Sequence, residues 1–305
     1  MNASQLLMLS VVIFGLGSLA SLFLNGGAAR AASGLTGMAG SVFGVLAVIA
    51  SFMSPSNGLS LPVALPFGQL TFEMDGLSML MVAMICVVSF AVSLYSLSYT
   101  LNGQDEGYGL LGFLMNLFTA IMLLVVTVSN TFYFLVFWEM MTLVSYFLVT
   151  FESRQEKAVR AGYLYMLIAH AGGALIMLAI LLFFINSGSF EFSALRTASL
   201  SAPLRSLIFL LAFIGFGAKA GMVPLHMWMP PAYAAAPSNA AALMSTVMKK
   251  TAIYGILRFC VDLLGPSVLW WGMLVLLFGV VSAGLGALFA LSERQMKRVL
   301  AYSSI

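Results

Sequence analysis

Gly215-Phe-Gly-Ala-Lys-Ala-Gly-Met-Val-Pro-Leu-His226 sets a lysine, Lys219, inside an apolar run and crowds it with Gly215, Gly217, Gly221 and Pro224. Such a segment resists forming one clean helix, because glycine weakens helix interiors and proline removes a backbone donor. Within lipid, freed backbone is tolerated only where it is buried in protein or lines a wet cavity. A charged amine at a broken membrane helix is therefore a candidate ion or proton site.

The surrounding composition supports a membrane setting. Of 305 residues, 62% are hydrophobic and 8% are charged, with a mean hydropathy of +1.06. A soluble core does not need that much apolar material, so an all-α, polytopic transmembrane bundle is expected. Apolar runs of spanning length fall near Leu6–Leu24, Leu35–Met53, Leu77–Leu97, Tyr108–Val128, Thr131–Phe151, Ala161–Phe184, Ser206–Met229 (broken), Asn239–Cys260 and Trp270–Leu291. These make nine spans; a tenth begins at Met296 and the sequence stops at Ile305, as though cut. No Lys or Arg precedes the first run, so that span is expected to be retained rather than removed as a signal.

Loop cations set the orientation. With the N-terminus outside, Arg30, Arg154, Lys157, Arg160, Arg294, Lys297 and Arg298 fall inside, and only Arg196 and Arg205 outside. Between the spans, Pro62-Val-Ala-Leu-Pro66 suggests extended structure, and a short amphipathic helix is expected after Ser189. The small net charge of +3 gives no reason to expect nucleic acid. Cys86 and Cys260 stand alone in apolar spans, so no metal, cluster or other cofactor is expected in this chain. Any electrons would run through another subunit.

The buried charges carry the functional reading. Glu139 is the only charge between Asn130 and Phe151, about 12 Å from the nearer end of its helix at 1.5 Å per residue. A carboxylate that deep costs roughly 2.5–3.5 kcal/mol, so function or a partner must compensate; a protonated, hydrogen-bonded glutamate is the alternative. Lys219 and Lys250 are its natural partners. Lys250 is expected to face the bundle interior, with Lys249 as the secondary candidate. Arg258, near a helix end, is expected to snorkel to the interface. His170 could relay protons or be a satisfied hydrogen-bonding residue. His226, beyond Pro224, could fix the geometry of the break. Asp75 reads as a helix N-cap or interface residue. No nucleophile–base pair points to hydrolysis.

Phe137-Trp-Glu-Met-Met-Thr-Leu143, Gly215 through Pro230, Ala236-Pro-Ser-Asn239, Lys250-Thr-Ala-Ile-Tyr-Gly-Ile-Leu-Arg-Phe259 and Lys297-Arg-Val-Leu-Ala-Tyr-Ser-Ser304 together resemble the antiporter-like membrane subunits of respiratory complex I and its relatives, most nearly the hydrogenase-4 branch. The motifs occur in family order along essentially the whole chain. The resemblance implies two inverted five-helix repeats, each with one broken helix. Here residues 1–107 would hold three preceding helices, residues 108–262 the first repeat, and residues 263–305 the start of a truncated second. It implies proton translocation through Glu139, Lys219 and Lys250, driven by redox chemistry in a peripheral hydrogenase or dehydrogenase arm and other membrane subunits. Some relatives carry an acid in the sixth helix near Gly172-Gly173; this chain has glycine there, so that role does not transfer. The same residues would serve a cation/proton antiporter, and a structural anchor with inert buried charges is the third reading.

Overall fold

The computed structural model describes residues 2–53, 58–60, 67–99, 107–152, 156–266 and 268–305. Apolar helices account for nearly all of it: α1 (Ala3–Phe23), α2 (Gly26–Met53), α3 (Gly76–Ser96), α4 (Tyr108–Thr127), α5 (Thr131–Val149), α6 (Glu156–Ser187), a short α7 (Phe192–Thr197), α8 (Ala202–Ala220), α9 (Met229–Ala235), α10 (Ser238–Leu243), α11 (Lys249–Ile256), α12 (Leu269–Ser292) and α13 (Met296–Ser303). Eight spans among the described residues are long and apolar enough to cross a membrane, α8 and α9 counting as one through the break. The eighth expected span, Asn239–Cys260, is a composite. Wider π-helical turns at Met244–Met248 and Leu257–Leu263 flank α11, so Ser238–Leu263 winds on without one uniform helix.

Lipid supplies no hydrophobic drive between helices, so these elements meet through small residues and interhelical hydrogen bonds. Ser10 Oγ donates to the Gly40 carbonyl of α2 at 2.6 Å, Ser18 Oγ to the Phe113 carbonyl of α4 at 2.9 Å, and Asn116 Nδ2 reaches Ser33 Oγ at 3.1 Å. On α6 and α8, Gly172 and Gly215 face one another so closely that a Cβ on either would meet the other's carbonyl oxygen at 2.7 Å. That contact seats Lys219's helix against α6.

One end of the bundle is knitted by loops. Strands β1 (Leu59–Ser60) and β2 (Thr71–Phe72) pair antiparallel, Leu59 opposite Phe72. The Thr131 amide bonds the Phe190 carbonyl, and the Ser129 amide that of Thr71. Asn130 caps α5, its Oδ1 accepting from the Phe132 amide at 2.9 Å, while its Nδ2 donates to Glu191 at 2.9 Å. The short helix expected after Ser189 is α7. The extended stretch expected at 62–66 lies outside the described residues.

Here Arg258 corrects the expectation. Rather than snorkelling, its side chain is 4% exposed. Its guanidinium donates to Asp75 Oδ1 at 2.7 Å, Asp262 Oδ2 at 2.7 Å and Ser78 Oγ at 3.1 Å, and it lies over the Phe192 and Tyr254 rings. Asp262 in turn accepts both arms of Arg196, at 2.9 and 2.8 Å. Asp75 is the expected N-cap of α3, accepting from the Ser78 amide at 2.9 Å. The ionic cluster thus joins α3, α7 and the composite span, and it repays the burial of Arg258 with a full set of acceptors.

Candidate functional site

Helix α8 runs unbroken through Gly215, Gly217 and Lys219 and stops at Gly221, whose φ of +75° suits glycine. Beyond it comes the break, with a cis Val223–Pro224 bond and a single 3-10 turn, Leu225–Trp228, leading into α9. Its backbone groups find partners: Trp228 Nε1 donates to the Ala218 carbonyl at 2.9 Å, and the Val223 amide donates to Ser282 Oγ of α12 at 3.0 Å. Lys219 consequently sits in the last turn of α8, where the negative end of the helix dipole favours a cation.

Lys219 is 2% exposed. Its ammonium donates to Thr142 Oγ1 and lies 4.7 Å from the centre of the Trp138 ring. Trp138, Thr142 and Ser145 fall at i, i+4 and i+7 along α5, so one face of that helix presents an aromatic ring and two hydroxyls. The Ser145 hydroxyl hydrogen-bonds the Tyr165 hydroxyl of α6, which points on to Met248 Sδ at 4.0 Å. Lys249 adjoins Met248. The hydroxyls of Thr142, Ser145 and Tyr165 therefore line the way from the Lys219 amine to the Met248 thioether of the composite span.

Glu139 takes a different face of α5 from the one expected. Among the described residues its salt-bridge partner within 4.0 Å is a histidine, not Lys219. The carboxylate lies 3.7 Å from His170 Nε2, with side chains 35% and 54% exposed respectively. Gly173 provides the room: a Cβ there would overlap Glu139 Oε1. The pair sits on the outer flank between α5 and α6, beside the exposed Met140, Leu143 and Leu167. The physical reason is helical phase, since one residue beyond Trp138 turns the side chain by about 100° around the helix.

The two lysines of α11 also come out in the reverse order. Lys249, not Lys250, is the buried one, at 8% exposure and with Nζ unpartnered among the described residues. Lys250 is half-buried and donates to the Ser245 carbonyl at 3.4 Å. The π turn just before them holds an extra residue per turn, which rotates both lysines relative to their places on an ideal α-helix. His226 lies apart from these groups, between the Phe289 and Tyr302 rings, where it joins the break to α12 and α13.

Sequence reasoning missed Trp138, Thr142, Ser145 and Tyr165. The signal was available as a polar face at 142 and 145, adjoining the glutamate that drew attention instead.

The family described as NADH:quinone oxidoreductase/Mrp antiporter, TM matches residues 128–305. That of the N-terminus of NADH-ubiquinone oxidoreductase (complex I) chain 5 matches residues 67–109. Hydrogenase-4 component B of Escherichia coli (strain K12) is 47% identical over 320 aligned positions, covering 100% of this chain and 46% of the relative. The chain thus spans about half the length of the curated relatives it matches. The solved Mrp complex from Dietzia sp. DQ12-45-1b superposes with a TM-score of 0.84 at 25% identity, over 98% of this chain and 32% of the other. Respiratory complex I from Thermus thermophilus gives 0.82 at 24% identity, over 98% and 62%, which shows a shared fold. With its broken helix and buried lysine inside the matched region, the chain is a multi-pass membrane protein that belongs to the NADH:quinone oxidoreductase/Mrp antiporter family.

Proposed function

We propose that this chain forms part of a proton-translocating membrane subunit of a hydrogenase-4- or complex I-like redox complex, driven by electron transfer in partner subunits. The observation that carries this reading is Lys219, held out of water at a helix break by one hydroxyl, one ring and a helix terminus. None of those neighbours carries a full negative charge. Desolvation disfavours the charged form of an amine, and a carboxylate brought nearer favours it. Glu139 stands on the adjoining face of α5, half open to its surroundings, where a neighbouring subunit could move its charge relative to Lys219. Proton release would pass along the Thr142, Ser145 and Tyr165 hydroxyls towards Lys249, with Lys250 as the further acceptor and His170 able to exchange protons with Glu139. His226 serves the shape of the break.

In vesicles holding the whole complex, Lys219→Ala or Glu139→Gln should abolish proton uptake while the complex still assembles. Unchanged uptake in both variants would defeat the proposal. The likeness to a solved Mrp complex favours a second reading, cation/proton exchange by the same residues. Uptake that requires sodium at fixed redox turnover would select it. Loss of assembly without loss of coupling would instead mark a structural anchor.

A further inference from the structure

On the face that carries the cation-rich loops, a cleft of about 670 Å³ opens between the first turns of α6, the end of α9 and the start of α13. Lys157, Arg160 and Arg298 line it, and Leu164, Pro231 and Ala235 form its apolar wall. The acids nearby are engaged. Glu156 pairs with Arg160 and Glu293 with Arg298, each at 2.8 Å. The Glu156–Arg160 pair is exposed and holds its arginine weakly, whereas Glu293 is partly buried against Arg298. Arg298 Nε is buried without any acceptor, and Lys157 has no ion pair, among the described residues. The cleft therefore has three cations, an orphaned donor and unfilled space.

Its position decides what could fill it. The apolar part of α6 begins at Ala161, so Lys157 and Arg160 stand at headgroup depth and Leu164 one turn deeper, at the level of acyl chains. Basic recesses between membrane helices on the cation-rich side suit anionic headgroups. A free phosphate would satisfy the donors yet leave the apolar wall wet. A phospholipid satisfies both.

We propose that this cleft binds the headgroup of an anionic phospholipid, with Lys157, Arg160 and Arg298 contacting phosphate and Leu164 and Pro231 packing against the glycerol and upper chain. Such a lipid would add a further tie between α6 and α13, on either side of α9, which already packs against both of them. The inference does not depend on the transport reading.

The test uses the full-length protein, purified in detergent and probed by native mass spectrometry with phosphatidylglycerol or phosphatidylcholine. Phosphatidylglycerol should be retained in preference. Lys157→Gln/Arg160→Gln, at exposed positions that leave the fold intact, should lower that retention roughly thirtyfold, two cations at about 1 kcal/mol each. Arg298→Gln should lower it further. Arg30→Gln, a cation on the same side but outside the cleft, should leave it unchanged. Equal retention of the two lipids would overturn the proposal. So would an equal effect of Arg30→Gln, which would mean a diffuse surface field, or complete displacement by millimolar inorganic phosphate, which would mean a small-anion site.

Discussion

Trp138 and Thr142 do for Lys219 what water would do for an exposed lysine. The ring face and the hydroxyl lone pair touch an ammonium that is 2% exposed, and the Glu139 carboxylate attracts it from beyond contact distance. Thr142→Val keeps the shape and removes the acceptor. It should lower proton uptake more than it lowers stability, whose loss should be about 1–3 kcal/mol for an unsatisfied buried donor. Uptake assays paired with thermal unfolding separate the two effects. Gly173 makes a complementary case, because its missing Cβ is the space that the Glu139 carboxylate occupies. Gly173→Ala should push Glu139 out of reach of His170 and impair uptake, with little change in the helix itself. Normal uptake in Gly173→Ala would show that the position of Glu139 is not critical.

At the scale of elements, the break after α8 is the feature on which the site's geometry depends. Gly221 holds a left-handed conformation, and a Cβ there would also strike Met229 Sδ. Gly221→Ala should therefore cost about 1–2 kcal/mol from the backbone alone, visible as a lower unfolding temperature in detergent. It should displace Trp228, whose indole bonds the Ala218 carbonyl beside Lys219. The π turns around α11 act in the same way on the lysine pair, by choosing which of two neighbours is buried.

Across the whole molecule, the Arg258 cluster fastens α3, α7 and the composite span at the end of the bundle away from the cation-rich loops. The Asp75 carboxyl feels burial, which raises its pKa, but the Arg258 guanidinium and the Ser78 amide outweigh this and hold it at about 2 against an ordinary 3.8. A depressed carboxyl stabilises the fold above its unfolded pKa. That contribution should be complete above 3.8 and lost as the pH falls towards about 2. Unfolding temperatures measured through that acid window should fall in the native protein, while Asp75→Asn, which retains a capping side chain, should show a smaller dependence. Removing Arg258 is harsher. Arg258→Gln leaves Asp75 without its cation, while Asp262 keeps Arg196, and should lower the unfolding temperature more than Asp75→Asn does.

The membrane class, most of the spans, the helix break and the short helix α7 were legible along the chain, and so was a lysine buried beside that break, because they rest on apolar run length, glycine and proline chemistry and the cost of charge in lipid. Which neighbour each charge meets was not. Arg258 read as a helix-end cation until α3 and α7 brought Asp75, Ser78 and Phe192 around it. Glu139 and Lys219 read as a contact pair, but the turn of α5 puts the carboxylate against His170 and leaves it a longer-range attraction to the lysine, and Lys250 read as the interior lysine until a π turn rotated Lys249 inward. Sequence determines what must be compensated, through local and solvation energies; Thr142 reaches Lys219 from 77 positions away and Asp75 reaches Arg258 from 183, and only the packed bundle brings such partners within reach.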